Sequence, residues 1–277
     1  MNTVEVQGAK IPALGFGTYG MSEADVRRVI PLALREGFRH IDTAQVYGNE
    51  AGVGAGWVAS GLHRSELFLA TKVWVANYVE ERFESSVDES LRRLQTDYID
   101  LLLLHWPNPR VPLAGQIERL NALVDRGKVR HVGVSNYNTA RLQAAKRLSR
   151  HPLVTHQLEY HPFLDQRHVI ETTRALGMTV TAYCPMAVGR VLAEPKLIDI
   201  ARRHRKSVAQ IVLRWVIQQQ GMIALSRTTR PARLAENAAV FDFELAPEEM
   251  AHMHGLVQPD SRIVSPPGLA PDWDPSG

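Results

Sequence analysis

Cysteine is almost absent: Cys184 stands alone in 277 residues, so the chain can form no internal disulfide, and a reducing cytoplasm is the expected compartment. No uninterrupted apolar run exceeds the four residues of Leu101 to Leu104, far short of a membrane span. Neither sign of charge dominates. Lys and Arg number 32 against 29 Asp and Glu, a formal net charge of +3, which argues against nucleic acid as a partner. The first twenty residues show no charged start, apolar stretch or small-residue cleavage site. A soluble protein without a targeting segment is expected.

The glycine fingerprint GxGxxG of dinucleotide-binding folds is missing as well. The nearest run, GVGAG from Gly52 to Gly56, lacks the third spacing and falls inside an expected helix. It reads as close helix packing rather than a phosphate cradle. Glycine inside a helix costs about 1 kcal/mol relative to alanine, so this helix should lean on tertiary contacts. The eleven histidines are scattered. His252 and His254, two apart on an expected helix, do not share a face. His156 and His161 have no supporting cysteine or carboxylate spacing, so no metal site is expected.

What the chain does contain, in 45% hydrophobic and 22% charged residues, is a regular alternation. Strand-like runs (LGFGT, FRHIDTA, LFLATKVW, YIDLLLLHW, VRHVGVSN, VTHQLEYHP, MTVTAYCP and MIALSR) are separated by amphipathic helical segments. One of these, SEADVRRVIPLALREG, has Ser22 as N-cap and Gly37 as its stop. Alternation calls for a parallel sheet with right-handed crossovers. Eight units favour a closed α/β barrel, the (β/α)8 TIM barrel, preceded by a small N-terminal hairpin turning at Gly8. No linker or composition shift divides the chain, so residues 1–277 read as one domain. The Pro-rich tail from Asp260 is expected to fold back over the barrel.

In such barrels the active site lies where the strands end. Asp42, Lys72, His105, Ser135, Asn136, Gln157 and Tyr183 all fall at or near strand ends, and Arg227, Thr228, Arg230 and Arg233 follow the last strand. Adjacent strands lie about 4.8 Å apart, so the second, third and fourth can converge on one spot. A buried acid and a buried lysine are each costly alone and tolerable as a pair; Asp42 and Lys72 are that pair. Tyr47 beside the ammonium is expected to have its phenol made more acidic, and so to give a proton to a carbonyl oxygen that His105 also holds. The loop SRTTRPARLAEN offers arginines, hydroxyls and a helix start to an anion.

The motifs GFGTY, IDTAQVYGNE, TKVW, LLLLHWP, VGVSNY, QLEYHP, AYCPM and RPARLAEN together resemble the aldo-keto reductases over nearly the whole chain. The resemblance implies a catalytic tetrad of Asp42, Tyr47, Lys72 and His105, with Tyr47 as proton donor and reduced nicotinamide as hydride source. It further implies NADPH held at Gly17, Thr18 and Asp42, with Arg227, Thr228 and Arg233 on its 2′-phosphate and Glu236 and Asn237 on its adenine. Ser135, Asn136 and Gln157 would hold the carboxamide, and Tyr183 would stack on the nicotinamide. The family's usual Ile-Pro-Lys-Ser before the arginines is here Leu225, Ser226, Arg227 and Thr228.

Tyr19, Trp74 and Trp106, with Tyr47 and His105, are expected to line the substrate pocket, and Trp273 is a further candidate. The short loop after His105 and the tail RIVSPPGLAPDWD most resemble bacterial diketogluconate and methylglyoxal reductases, which implies a small-molecule carbonyl substrate. A monomer is the family's habit. Two other readings compete: an aldolase-like barrel with Lys72 as Schiff-base nucleophile, and a non-enzymatic NADPH-sensing subunit.

Overall fold

The computed structural model describes residues 2–275. The chain opens on an antiparallel hairpin, β1 (Thr3–Val6) and β2 (Ala9–Pro12). Eight parallel strands follow: β3 (Leu14–Gly17), β4 (His40–Asp42), β5 (Phe68–Val73), β6 (Ile99–Leu104), β7 (Val129–Ser135), β8 (Leu153–Glu159), β9 (Thr179–Tyr183) and β10 (Met222–Ser226). They close into a barrel, with β10 pairing to both β3 and β9. The expected eight-strand parallel barrel with its hairpin is therefore the fold.

The helices are α1 (Glu23–Arg35), α2 (Glu50–Ala59), α3 (Glu80–Leu94), α4 (Leu113–Asp125), α5 (Thr139–Leu148), α6 (Arg167–Ala175), α7 (Pro195–His204), α8 (Val208–Gln218), α9 (Ala232–Ala238) and α10 (Pro247–His254). Ser22 caps α1 as its spacing predicts, its hydroxyl accepting from the Asp25 N–H. The main apolar cluster fills the layer between strands and helices, where Ile41, Leu69, Val73, Leu102 and Leu104 point outward from the barrel.

A smaller cluster occupies the barrel interior: Phe68, Ala70, Leu101, Leu103 and Ile223, with Ala9 and Ile11 of the hairpin packed against them. The hairpin thus plugs the end where the strands begin. Side chains alternate faces along a strand. If Phe68 and Ala70 face inward on β5, Lys72 must also; if Leu101 and Leu103 do so on β6, His105 follows them. The apolar half of each strand fills the barrel, and its last inward position, at the opposite end, carries the polar group.

The GVGAG run lies in α2. A Cβ on Gly52 would stand 2.7 Å from the Glu23 carbonyl oxygen, one on Gly56 would stand 2.8 Å from Ile30 Cβ, and one on Gly54 would collide with the Arg93 carbonyl oxygen. These glycines let α2 lie against the backbones of α1 and α3, which is the packing role expected of them. Gly54→Ala should destabilise the protein by about 2 kcal/mol, the scale of an overpacked core, although alanine is the better helix former. A urea midpoint equal to or above that of the wild type would refute the contact.

Candidate active site

The strand ends bring the expected acid and base together. Lys72 Nζ donates to Asp42 Oδ1 at 2.5 Å and to the Thr43 carbonyl at 2.8 Å. Lys72 is fully buried and Asp42 is 3% exposed. Burial pulls the ammonium pKa down, and the charge of Asp42 and its hydrogen bond oppose that pull. The second oxygen, Asp42 Oδ2, accepts from Gln157 Nε2 at 2.8 Å across the barrel. Gln157 therefore already spends its amide N–H on Asp42, and only its Oε1 makes no hydrogen bond within the described chain.

Tyr47 ends a single 3-10 turn, Gln45–Tyr47, which Gly48 stops in a left-handed conformation at φ 67°. Its ring meets the His105 ring edge-on at 5.6 Å and the Tyr19 ring at 5.2 Å. Lys72 Nζ lies 5.2 Å from the Tyr47 ring centroid. The expectation of a more acidic phenol does not hold here. The Tyr47 pKa stands well above 10, raised first by burial, then by the negative charge of Asp42 and by the neighbouring Tyr183 and Tyr19. The ammonium is held on Asp42, so to the phenol the pair presents a dipole rather than a free cation.

His105 is 7% exposed, and its Nδ1 is sealed without a partner among the described residues. Burial, and then the charge of Lys72, hold its pKa well below 6.5, so the ring is neutral at physiological pH. A sealed lone pair is tolerated better than a sealed N–H, which places the proton on Nε2. Trp74 lies edge-on to the same ring at 5.5 Å. Asn136 Nδ2 donates to the His105 carbonyl at 3.0 Å. The Tyr183 hydroxyl donates to Asn136 Oδ1 at 2.7 Å, and the Ser135 hydroxyl donates to the Gln157 carbonyl at 2.9 Å. Tetrad and expected carboxamide residues therefore form one connected network.

The arginine loop stands apart from this network. Arg227 is exposed and donates to the Gly20 carbonyl at 3.1 Å, tying the loop to the segment after β3. Arg28 of α1 supports it from below, donating to the Thr229 carbonyl at 3.2 Å. Thr228 and Asn237 are buried, Glu236 is half-buried, and Arg230 and Arg233 are exposed with no carboxylate partner among the described residues. The Thr228 hydroxyl accepts from the Arg230 N–H at 3.0 Å and shapes the turn. Ser226 Oγ is buried without a partner among the described residues. Unpaired guanidinium groups beside an orphaned hydroxyl suit a phosphate-bearing cofactor, and the residues present fit NADPH.

Residues 13–258 match the aldo/keto reductase family. The chain belongs to that family. It is 38% identical to the methylglyoxal reductase DkgB of Yersinia pestis over 267 residues, covering 95% of this chain and 99% of that protein. A crystal structure of a candidate 2,5-diketo-D-gluconic acid reductase B superposes with a TM-score of 0.98 at 56% identity, covering 99% and 98% of the two chains. The Bombyx mori aldo-keto reductase, solved in complex with NADP, superposes with a TM-score of 0.85 at 31% identity over 93% and 94%. The chain is thus an NADP-dependent oxidoreductase that reduces carbonyl groups.

Three residues of this reductase's site escaped the sequence reading, although all sit in the quoted IDTAQVYGNE. Gln45 Oε1 accepts from Trp74 N and Asn77 Nδ2, both at 2.9 Å, while its Nε2 donates to Ser86. Asn49, fully buried, donates to the Thr18 and Met21 carbonyls and accepts from the Thr43 hydroxyl at 2.9 Å. Glu50 is also buried and accepts from Thr71 and Ser90. Asn49 and Gln45 pin the turn that carries Tyr47 to the loops after β3 and β5, and Glu50 ties the start of α2 to β5 and α3. The available signal was the density of polar residues around a site tyrosine in a buried stretch.

Of the expected pocket residues, Tyr19 and Trp74 join Tyr47 and His105 in one cluster of edge-on rings, while Trp106 turns toward the tail. Tyr19 is 70% exposed, Trp74 is half-buried and Trp106 is buried. Trp106 packs edge-on against Trp273 at 6.3 Å. The tail therefore does fold back. Asp274 Oδ2 accepts from the Thr139 N–H and hydroxyl, and the buried Glu159 carboxylate accepts from the backbone N–H groups of Ile263 and Val264, both at 2.8 Å. Cys184 is half-buried, and burial pushes its thiol up, so it packs rather than reacts.

Proposed function

We propose that this reductase reduces small aldehydes and ketones of the methylglyoxal and 2,5-diketo-D-gluconate kind, using NADPH, with Tyr47 as the proton donor. The observation that carries the reading is the convergence of Tyr47, His105 and the buried Lys72–Asp42 pair at one end of the barrel. Bound there, NADPH supplies the hydride. Tyr47 keeps its proton until needed, since its raised pKa leaves the phenol neutral. The alkoxide generated from a carbonyl is far more basic than any phenolate, so transfer from a weakly acidic phenol remains downhill. As the proton leaves, charge develops on the Tyr47 oxygen, and the Lys72 ammonium beside the ring opposes the repulsion from Asp42. His105, neutral and protonated on Nε2, donates a hydrogen bond to the same substrate oxygen.

Arg227, Thr228 and Arg233 are assigned to the 2′-phosphate, Glu236 and Asn237 to the adenine, and Gly17, Thr18, Ser135, Asn136, Gln157 and Tyr183 to the rest of the cofactor. Arg227→Ala with Arg233→Ala should weaken NADPH about 100-fold and NADH by less than about threefold, given the strength of charge-assisted bonds to phosphate. Equal weakening of both cofactors, by fluorescence titration, would remove the assignment. Tyr19, Trp74 and Trp106 are assigned to the substrate. We read the enzyme as a monomeric, cytoplasmic, single domain spanning 1–277, a reading supported by a sequence with no linker or composition shift and a single cysteine. The Schiff-base alternative is disfavoured by Lys72 itself, whose nitrogen is committed to Asp42 and the Thr43 carbonyl. Following NADPH consumption with a panel of dicarbonyls and keto-sugar acids tests the reading; no turnover with any of them would end it.

A further inference from the structure

Among the described residues, the tail holds a cation, Arg262, with no carboxylate at ion-pair distance. Arg262 lies over the Trp273 ring at 3.8 Å, and Trp273 packs against Trp106, the neighbour of His105. Arg262 Nη2 donates to Gln166 Oε1 at 3.2 Å, while Nη1 is buried with no partner among the described residues. Two carboxylates are near, but both are taken. Glu159 accepts from Ile263 N, Val264 N and His161 Nε2, and Asp274 Oδ2 accepts from Thr139. Neither comes within ion-pair distance of the guanidinium among the described residues. Burial is the main pull lowering the arginine's pKa, opposed by Glu159, Tyr183 and Asp274.

A covered cationic N–H without an acceptor is a cost that a bound anion removes. The position of this one selects the ligand. Arg262 is near enough to Tyr183 to feel its charge and reaches, through Trp273, to Trp106 after β6, whereas the arginine loop assigned to the 2′-phosphate follows β10, four strands away around the barrel. Glu159 fixes the backbone directly after Arg262. Trp273 is half-buried, its Nε1 donates to the Ser265 hydroxyl at 3.0 Å, and its ring covers the guanidinium.

We propose that Arg262 is an anchor for the carboxylate of anionic carbonyl substrates, keto acids and keto-sugar acids, uncovered when Trp273 lifts from its guanidinium. This rests on the carbonyl-reductase reading and names its preferred substrate class. A planar guanidinium grips a carboxylate through two parallel hydrogen bonds, and holding the far end of the substrate orients the carbonyl toward Tyr47 and His105.

The test is Arg262→Met, which keeps an unbranched side chain and removes the guanidinium that lies over Trp273, with Arg262→Lys beside it. The two carbonyls are 2,5-diketo-D-gluconate and neutral methylglyoxal. The methionine variant should lose about 10- to 100-fold in kcat/KM for the sugar acid, one charge-assisted bond's worth, and less than about threefold for methylglyoxal; the lysine variant should recover part of the loss. In parallel, D-gluconate titrated into the wild-type NADP complex should change tryptophan fluorescence as Trp273 moves, and should do so only weakly in Arg262→Met. Equal losses on both carbonyls would make Arg262 a strut for the tail, and no loss on either would make it a bystander; both overturn the proposal. If the wild type reduces neither carbonyl, the reductase reading falls, while the gluconate titration still decides whether the anion site exists.

Discussion

Tyr47→Phe should lower kcat for carbonyl reduction by about 1000-fold, within the range removed with a general acid, and leave NADPH affinity within about twofold. The substitution is nearly isosteric. It keeps the ring's edge contacts with His105 and Tyr19 and removes only the hydroxyl. No hydrogen bond from that hydroxyl supports the described chain, so stability should hardly change, and a fall in rate can be assigned to the missing proton. The pH profile sharpens the test. With the phenol pKa raised well above 10 by burial and by Asp42, wild-type turnover should show no alkaline limb from this group at or below its ordinary value. A limb near neutrality that vanishes in the phenylalanine variant would show that the bound state reverses the direction. Turnover retained by Tyr47→Phe would end the proton-donor assignment.

The barrel was legible because its strands announce themselves twice. Runs such as LLLL read as strands buried on both faces, and the polar group ending each run marks the functional end. The Asp42–Lys72 contact followed from the cost of burying either charge alone. What stayed illegible is the sign of a small difference. Whether a phenol between an ammonium and a carboxylate rises or falls depends on where the ammonium points, and Lys72 points at Asp42 and the Thr43 carbonyl. Residue spacing does not encode that direction. Gln157 shows the same limit. Its place on β8 was readable, but its bond across the barrel to Asp42 depends on closure bringing two distant strands face to face. The polar residues that pin the Tyr47 turn were missed for a different reason: Gln45 and Asn49 are ordinary loop residues in sequence, and only their burial makes them supports.

Lys72→Met should damage the enzyme in two separable ways. The first is stability. Lys72 is fully buried, and its removal leaves the Asp42 carboxylate with Gln157 as its remaining side-chain partner. Breaking one side of a buried pair costs about 3–5 kcal/mol, so the urea midpoint should fall sharply. The second is rate. Without the ammonium, the charge developing on Tyr47 faces Asp42 alone, and kcat should fall by about 100-fold or more, the scale of general-acid catalysis. A second variant divides the two effects. Asp42→Asn combined with Lys72→Met removes both charges, so no unpaired carboxylate is left behind, and much of the lost stability should return. Turnover should not return with it, because the phenol still lacks a cation to favour its ionised form. Single-turnover NADPH fluorescence alongside urea unfolding reads both quantities. A double variant that regained rate together with stability would show that Lys72 serves only to neutralise Asp42, and that the tyrosine donates its proton without help from the pair.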